Sequence, residues 1–174
     1  MNKPNDTSLP IRLRAMEPED LDLLYHIEND RSVWGVSSTN VPYSRYALHD
    51  YVAHAQNDIY TDKQVRLVIT KETGETIGLL DLMNFDPRHQ RAELGIVIMK
   101  PYRRQGYATA AIRQILSDAR SIWHLHQLYA ITEQSNAASC RLFKGLGFST
   151  SCVLRDWLSF ADGFHDALLL QYFL

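Results

Sequence analysis

The sequence predicts an α/β (α+β) fold: a mixed, mostly antiparallel central sheet of about seven strands, with helices on both faces. Seven short apolar segments have strand-like patterns. Three of them follow one another through short turns, which favours an antiparallel meander. A helix then connects the fourth and fifth strands, and such a crossover makes two neighbouring strands parallel.

The first third of the chain supplies one strand and two helices. Residues 1–9 are polar and are expected to be frayed. Ile11–Arg14 alternates apolar and basic residues like a half-buried strand. Pro18 and the acids around it start a helix. Ser44 caps a second helix that runs to about Asn57, and its weak apolar ridge indicates a peripheral lid.

The middle of the chain supplies the meander and the crossover. Its strands are predicted at residues 64–70, 76–84 and 91–99, separated by turns at Glu72–Glu75 and Asp86–His89. A helix with one apolar face runs from Gln105 to about Ile122. The fifth strand is Gln127–Thr132. A ligand held where strands 91–99 and 127–132 separate would lie at the start of that helix.

The remaining residues complete the predicted sheet. Ser135 or Asn136 caps another helix, which Gly147 ends. Residues 148–160 and 164–174 form the two closing strands. The whole chain, residues 1–174, is predicted to be a single domain.

Composition excludes several classes of function. The 174 residues are 45% hydrophobic and 22% charged, with a net charge of -2. A chain of this kind builds an ordinary core and has no global field for nucleic acid or an anionic membrane. Cys140 and Cys152 match no metal or redox spacing, which favours a reduced, cytoplasmic protein. No metal site, nucleic-acid partner or membrane contact is expected, and the protein is predicted to be a monomer or a homodimer.

The turn before the helix at Gln105 breaks a local electrostatic rule. Helix N-termini favour acids, yet Arg103 and Arg104 stand here and no Asp or Glu occurs between Pro101 and Ser117. A phosphate would balance this charge, and Gly106 would let it approach the backbone. We therefore predict a pyrophosphate site. Solvent-facing arginines are the alternative, because the motif alone is weak.

Two blocks of sequence then resemble the GNAT N-acetyltransferase superfamily. Arg103–Ala108 resembles the family's Gln/Arg-x-x-Gly-x-Gly/Ala loop, and Asn136–Phe148 resembles its Asn-x-x-Ala/Ser-x-x-Leu-Tyr-x-x-x-Gly-Phe helix. One helix and one strand separate the blocks. The resemblance covers about residues 11–174. Arg91–Glu93 and Gly163–Ala167 are similar to the branch of ribosomal-protein N-terminal and polyamine acetyltransferases.

The resemblance implies a site for acetyl-CoA as co-substrate. The backbone edge at Ile96, Val97 and Ile98 would pair with the pantetheine amides. Asn136 would bind the pantetheine arm, unless it is a plain N-cap. The loop residues that would wrap the pyrophosphate are Arg103, Arg104, Gln105, Gly106, Tyr107 and Ala108. The helix residues from Ser139 to Lys144, with Phe143 among them, would flank the thiol end or the nucleotide.

Acetyl transfer to an amine requires a base, because alkylamines are mostly protonated at neutral pH. Glu93, a carboxylate in a largely apolar strand, is the first candidate for the catalytic base. Asp81 on the preceding strand is the second candidate and a candidate acceptor-binding residue. An ion pair of Glu93 with Arg91 or Arg88 is the structural alternative.

The departing thiolate benefits from a proton donor. The family often provides it as the Tyr of Leu-Tyr, but this chain has Phe143 at that position. Cys140, three residues earlier, is a candidate catalytic substitute, although a small buried thiol is the simpler interpretation. Two alternatives remain open: water donates the proton to the thiolate, or the thiolate leaves without a strong acid.

The acceptor is an amine, and the sequence leaves its identity open. Trp34, Tyr43 and Tyr46 are candidates for walls of the acceptor pocket. A protein N-terminus or a small amine is the main expectation, and a spermidine-type polyamine is the alternative. A non-catalytic acyl-CoA-binding module is the competing hypothesis from another functional class, because Phe143 cannot donate a proton. A nucleoside-triphosphate site is disfavoured since no Gly-Lys-Ser/Thr occurs.

Overall fold

A computed structural model describes residues 9–31, 41–55 and 58–174. The strands are β1 (Ile11–Ala15), β2 (Val65–Lys71), β3 (Thr76–Asp86), β4 (Arg91–Ile98), β5 (Gln127–Glu133), β6 (Ser149–Phe160) and β7 (Gly163–Phe173). The helices are α1 (Leu21–Glu28), α2 (Arg45–His54), α3 (Ile59–Asp62), α4 (Tyr107–Ser121) and α5 (Ala137–Gly145). Short 3-10 turns occupy Pro18–Asp20 and Lys100–Tyr102.

All seven strands form one sheet in the order β1-β2-β3-β4-β5-β7-β6. Strands β1 to β4 are an antiparallel meander, and β4 and β5 are parallel because α4 crosses between them. The predicted mixed, mostly antiparallel sheet is therefore confirmed. Strand β7 lies between β5 and β6 and is antiparallel to both.

Helices cover both faces of the sheet, as predicted. The main core lies under α4 and α5, and strands β2 to β5 and β7 contribute alternate side chains to it. A second, smaller core lies on the other face between α1, α2 and the sheet. Its buried members are Leu23, Leu24, Ile27, Leu48, Val68 and Leu79.

The first two helices differ in how they are anchored. At the start of α1, Asp20 is buried and accepts hydrogen bonds from Arg14 at 2.6 and 2.8 Å. Ser44 caps α2, since its Oγ accepts from the Ala47 N–H at 3.0 Å. Leu48 is the one residue of α2 that is fully buried among those described. The predicted peripheral position of α2 is explained by the burial of this one side chain.

Two predicted boundaries in this region were wrong. Helix α2 ends at His54 instead of about Asn57, because Ala55 adopts an extended backbone. The sequence also failed to predict α3, whose four residues are too short for any helical periodicity to appear. Helix α4 begins at Tyr107, two residues later than predicted, since Gly106 takes a left-handed conformation.

Candidate active site

The site is built around the separation of β4 and β5. These strands pair only through Arg91–Gln127, Ala92–Leu128 and Glu93–Tyr129, and they diverge beyond the last pair. The remainder of β4 keeps β3 on its other side through Ile98. The divergence opens a cleft that leads to the start of α4, where the sequence placed a ligand.

The phase of the β3–β4 ladder decides which backbone groups face this cleft. The Met99 N–H donates to the Ile77 carbonyl at 2.9 Å. Since hydrogen-bonded pairs alternate along an antiparallel ladder, Val97 directs its backbone groups toward β3. Ile96 and Ile98 direct theirs toward the cleft. Of the three predicted edge residues, Ile96 and Ile98 are thus oriented for a pantetheine amide, and Val97 is not.

The basic turn, Arg103–Ala108, combines exposed cations with an open helix start. Gly106 is the N-cap of α4 at φ 91°, no side chain caps the helix, and its first turn contains no acid. Arg104 is also left-handed, at φ 62°. Alternating left-handed residues gather backbone N–H groups into a concave anion site. The local geometry therefore supports the predicted pyrophosphate site.

The other side chains of the basic turn mainly hold its shape. Arg103 donates from Nε to the Ile98 carbonyl at 2.7 Å, which fixes the end of β4. Gln105 donates from Nε2 to the Pro101 carbonyl at 2.8 Å. Tyr107 and Ala108 are half-buried against the main core. The backbone N–H groups of the turn and the exposed Arg104 are then the groups positioned for the phosphates.

Asn136 begins α5 on the β5 side of the cleft. Its Oδ1 accepts from the Ser139 N–H at 3.1 Å, so the N-cap role is real. The choice left open between Ser135 and Asn136 is settled, because Asn136 is the cap. A cap made through Oδ1 leaves the amide nitrogen of Asn136 available for a pantetheine carbonyl.

Cys140 and Phe143 lie in the main core. The Cys140 thiol is 8% exposed and contacts the Glu133 and Gln134 carbonyls at 3.8 and 4.0 Å. Phe143 is 3% exposed and packs edge-on against Phe148, with 5.0 Å between ring centroids. The geometry favours the structural interpretation of Cys140 and places Phe143 within the apolar core.

Glu93 lies at the vertex of the cleft, on the face opposite α4. Its Oε2 accepts a hydrogen bond from Asn84 Nδ2 at 2.8 Å. The predicted alternative, an ion pair with Arg91 or Arg88, is not found among the described contacts, since Arg91 pairs with Asp86 at 3.4 Å. Glu93 is half-buried and therefore keeps access to solvent and to an incoming acceptor.

Tyr129 joins this pair from β5. It pairs with Glu93 in the β4–β5 register. Burial, together with the Glu93 charge, raises the pKa of the phenol above the ordinary value. Asn84 reaches Glu93 because a bulge shifts the β3–β4 register after Met83 and puts Asn84 at φ 50°. Asparagine tolerates this conformation better than most residues.

Asp81 belongs to a second charged group on the same face. Both of its oxygens accept from Arg66, at 2.7 and 3.0 Å, and Arg66 also reaches Glu28 at 2.6 Å. Burial lowers the pKa of Arg66, but the two carboxylates raise the pKa by a larger amount. The net shift is upward, so the guanidinium stays charged. Because Asp81 is held through both oxygens, Glu93 is the better placed of the two candidate bases.

The predicted acceptor residues are only partly described. Tyr43 exchanges hydrogen bonds with Asn29 through its backbone, at 2.9 and 3.2 Å, and packs against the second core, as Val97 also does. Tyr46 is exposed. Trp34 lies outside the described residues. Tyr43 is therefore near the acceptor face of the sheet.

Asn84, Tyr129 and Arg66 are the site residues that the sequence did not reveal. The sequence contains little signal for these three residues, because their place in the site depends on pairing between strands rather than on a local motif. Only the isolated charge of Arg66 within an apolar strand hinted at a partner.

An open β4 edge, an uncapped helix start and a vertex carboxylate define an acyl-CoA-dependent transferase of the GNAT type. Residues 11–149 match the acetyltransferase (GNAT) domain family, and the chain belongs to that family. The predicted N-acetyltransferase activity with acetyl-CoA as co-substrate is thereby confirmed.

Individual relatives fall in the branch that the sequence indicated. The chain is 29% identical over 167 residues to spermidine N(1)-acetyltransferase of Escherichia coli K12, covering 94% of this chain and 86% of the relative. It is 25% identical over 163 residues to the putative ribosomal N-acetyltransferase YdaF of Bacillus subtilis, covering 91% and 88%.

The fold is shared with a solved structure of this branch. Spermidine N-acetyltransferase from Vibrio cholerae, in complex with CoA and spermine, superposes with a TM-score of 0.81 at 23% identity. The match covers 94% of this chain and 95% of that one. No helix among residues 9–31, 41–55 and 58–174 has the length and apolar character needed to cross a membrane.

Proposed function

We propose that the protein acetylates an aliphatic polyamine of the spermidine type, with Glu93 as the general base. One observation carries the proposal: Glu93 and Asp81 are diagonal neighbours on the acceptor face, because Asp81 pairs with Gly95 in the β3–β4 register. Diagonal side chains in such a ladder lie about 7–8 Å apart. A chain of ammonium groups suits carboxylates at that spacing.

The charge of this face favours a polycation. Arg66 faces two carboxylates, Asp81 and Glu28, and the group therefore has a net negative charge. Glu93 adds a further negative charge two residues along β4 from Gly95, the partner of Asp81. The relationship to the spermidine acetyltransferase of Escherichia coli supports the same acceptor. This acceptor was the alternative at the sequence level, where no charge was visible in residues 37–40.

Direct transfer assigns a role to each part of the cleft. Acetyl-CoA supplies the acetyl group as a thioester. The Ile96 and Ile98 backbone would bind its amides, and the basic turn would bind its phosphates. A cleft-facing N–H of this edge would stabilise the developing oxyanion. Glu93 would accept the amine proton directly or through water.

The test is a thiol-release assay with matched amines. We expect spermidine to exceed butylamine in kcat/KM by at least about tenfold, or about 1.4 kcal/mol, because its further ammonium groups meet the carboxylates. Asp81→Asn should reduce this preference without abolishing butylamine turnover. Asp86→Asn is the matched control, since Asp86 lies on the same strand but pairs with Arg91.

Equal turnover of spermidine and butylamine would contradict the polyamine acceptor. The second candidate acceptor is a protein N-terminus, and the similarity to the putative ribosomal N-acetyltransferase YdaF is compatible with a protein acceptor. Binding of CoA without turnover of any amine would contradict the enzyme itself. We also propose, as predicted, a single domain in the cytoplasm that forms a monomer or a homodimer.

A further inference from the structure

The vertex of the cleft offers a proton donor that the sequence did not suggest. Phe143, at the position where the family often has Tyr, has no proton to give and is 3% exposed in the core. The Cys140 thiol contacts the carbonyls at the end of β5. Neither side chain presents an acidic proton to the cleft, so a side-chain donor would have to come from another part of the fold.

Tyr129 is the residue that the fold places at this position. The Glu93–Tyr129 pair is the last one before β4 and β5 diverge. Leu128 and Ala130 belong to the main core, so alternation turns Tyr129 to the opposite face, which Glu93 shares. The Tyr129 side chain therefore lies next to Glu93 at the vertex of the cleft, close enough for the Glu93 charge to raise the pKa of the phenol.

The surroundings of Tyr129 keep its proton in place. Burial, followed by the Glu93 charge, raises the pKa of the phenol, while Asn84 and Arg91 lower it to a smaller extent. A phenol with an ordinary pKa of about 10 is already protonated at neutral pH. Asn84 donates to Glu93 on one oxygen, which leaves the carboxylate able to bind the phenol as well.

We propose that Tyr129 is the general acid of the reaction, coupled to Glu93, which Asn84 holds in place. This inference rests on the N-acetyltransferase function and on Glu93 as base. The ammonium group first loses one proton to bulk water. As the carbon–nitrogen bond forms, the nitrogen gives a second proton to Glu93. When the carbon–sulfur bond breaks, the sulfur takes the phenol proton of Tyr129. Glu93 then returns its proton to the Tyr129 oxygen, and the site is restored.

The first measurement is the turnover of Tyr129→Phe. General acid catalysis contributes 10²–10⁴-fold, so we expect kcat to fall by about a hundredfold. The Kd for CoA should stay within about twofold, because the ring remains. Tyr172→Phe is the matched control, since Tyr172 is a half-buried tyrosine of β7 that packs against Phe148 on the α4 side. A kcat for Tyr129→Phe within threefold of wild type overturns the proposal.

A second measurement separates an acid from a residue that only orients Glu93. Tyr129→Ala leaves a space for exogenous phenols, and ring-substituted phenols of increasing acidity are added to this variant. Rescue that grows with the acidity of the phenol supports proton transfer. Rescue that is independent of acidity, or no rescue, overturns the proposal, because an orienting hydroxyl needs no particular proton affinity.

The failure of this proposal is distinct from a failure of the polyamine proposal. Proton donation to sulfur is independent of the acceptor, so the variants are assayed with whichever amine the wild-type enzyme acetylates. Asn84→Gly, which tolerates the positive φ at that position, should lower kcat by less than Tyr129→Phe. An equal or larger loss in Asn84→Gly would assign the main role to Asn84 and contradict the acid role of Tyr129.

Discussion

Gly106→Val tests the anion site at the start of α4. Gly106 has φ 91°, and a side chain in the left-handed region costs about 1–2 kcal/mol. The added Cβ would meet Leu9 Cδ1 at 3.1 Å, the end of a flexible side chain, so crowding within the protein adds little. On the solvent side, the branched side chain would crowd the approach of a phosphate to the backbone.

The loss of CoA affinity can be estimated from the hydrogen bonds involved. A hydrogen bond to a charged group contributes about 1.5–3 kcal/mol, so the loss of one weakens CoA binding by about 10- to 150-fold. Calorimetric titration with CoA measures this change. Thermal unfolding measures the backbone strain separately, as a fall in Tm of about 2–8 °C.

Gly74→Val is the matched control for this experiment. Gly74 has φ 85° and nothing within 4 Å of an added Cβ, so it imposes a similar backbone strain in the β2–β3 turn. We expect a similar fall in Tm and an unchanged affinity for CoA. Unchanged affinity in Gly106→Val, or an equal loss of affinity in Gly74→Val, would refute the placement of the pyrophosphate at this turn.

Three further changes test the base, the core and the pH dependence. Glu93→Gln should lower kcat more at about pH 7 than at about pH 9, since free amine becomes more abundant as the pH rises; an equal loss at both values would give Glu93 a structural role. Phe143→Tyr should cost about 1–3 kcal/mol in urea unfolding, because its hydroxyl would be buried beside Phe148 without a partner; wild-type stability would instead show that the ring reaches the cleft. His165 hydrogen-bonds Glu133 at 2.8 Å, which raises its pKa above 6.5. The resulting stability is present below that value and is lost as the pH rises through the folded-state pKa, so His165→Gln should show a smaller decline in Tm from about pH 6 to about pH 9; an unchanged decline would exclude this ion pair as its source.

The local parts of the fold were predictable from the sequence. The Ser44 and Asn136 caps, the β2–β3–β4 meander and the α4 crossover each depend on residues close together in the chain. The position of β7 between β5 and β6 was not predictable. Two closing strands have the same alternating pattern in either order, and only their long-range pairing with β5 distinguishes them.

The candidate site likewise has parts that were predictable from local sequence and parts that depend on long-range strand pairing. The basic turn was recognisable because its electrostatic anomaly is local to Arg103, Arg104 and Gly106. The contact of Asn84 with Glu93 depends on a bulge in β3, and the approach of Tyr129 depends on the register of a parallel pair. Neither leaves a pattern in the sequence, because register is a property of two strands together.

The interleaved order of the last two strands has a consequence for biosynthesis. Ribosomes release β6 before β7, yet in the sheet that the described residues form, β6 is bonded to the rest of the domain only through β7. Until β7 has emerged from the exit tunnel, the edge of β5 that β7 covers in the finished sheet therefore has no hydrogen-bonding partner strand. Translational pausing between these strands would prolong the interval in which chaperones, or another nascent chain, can capture that edge.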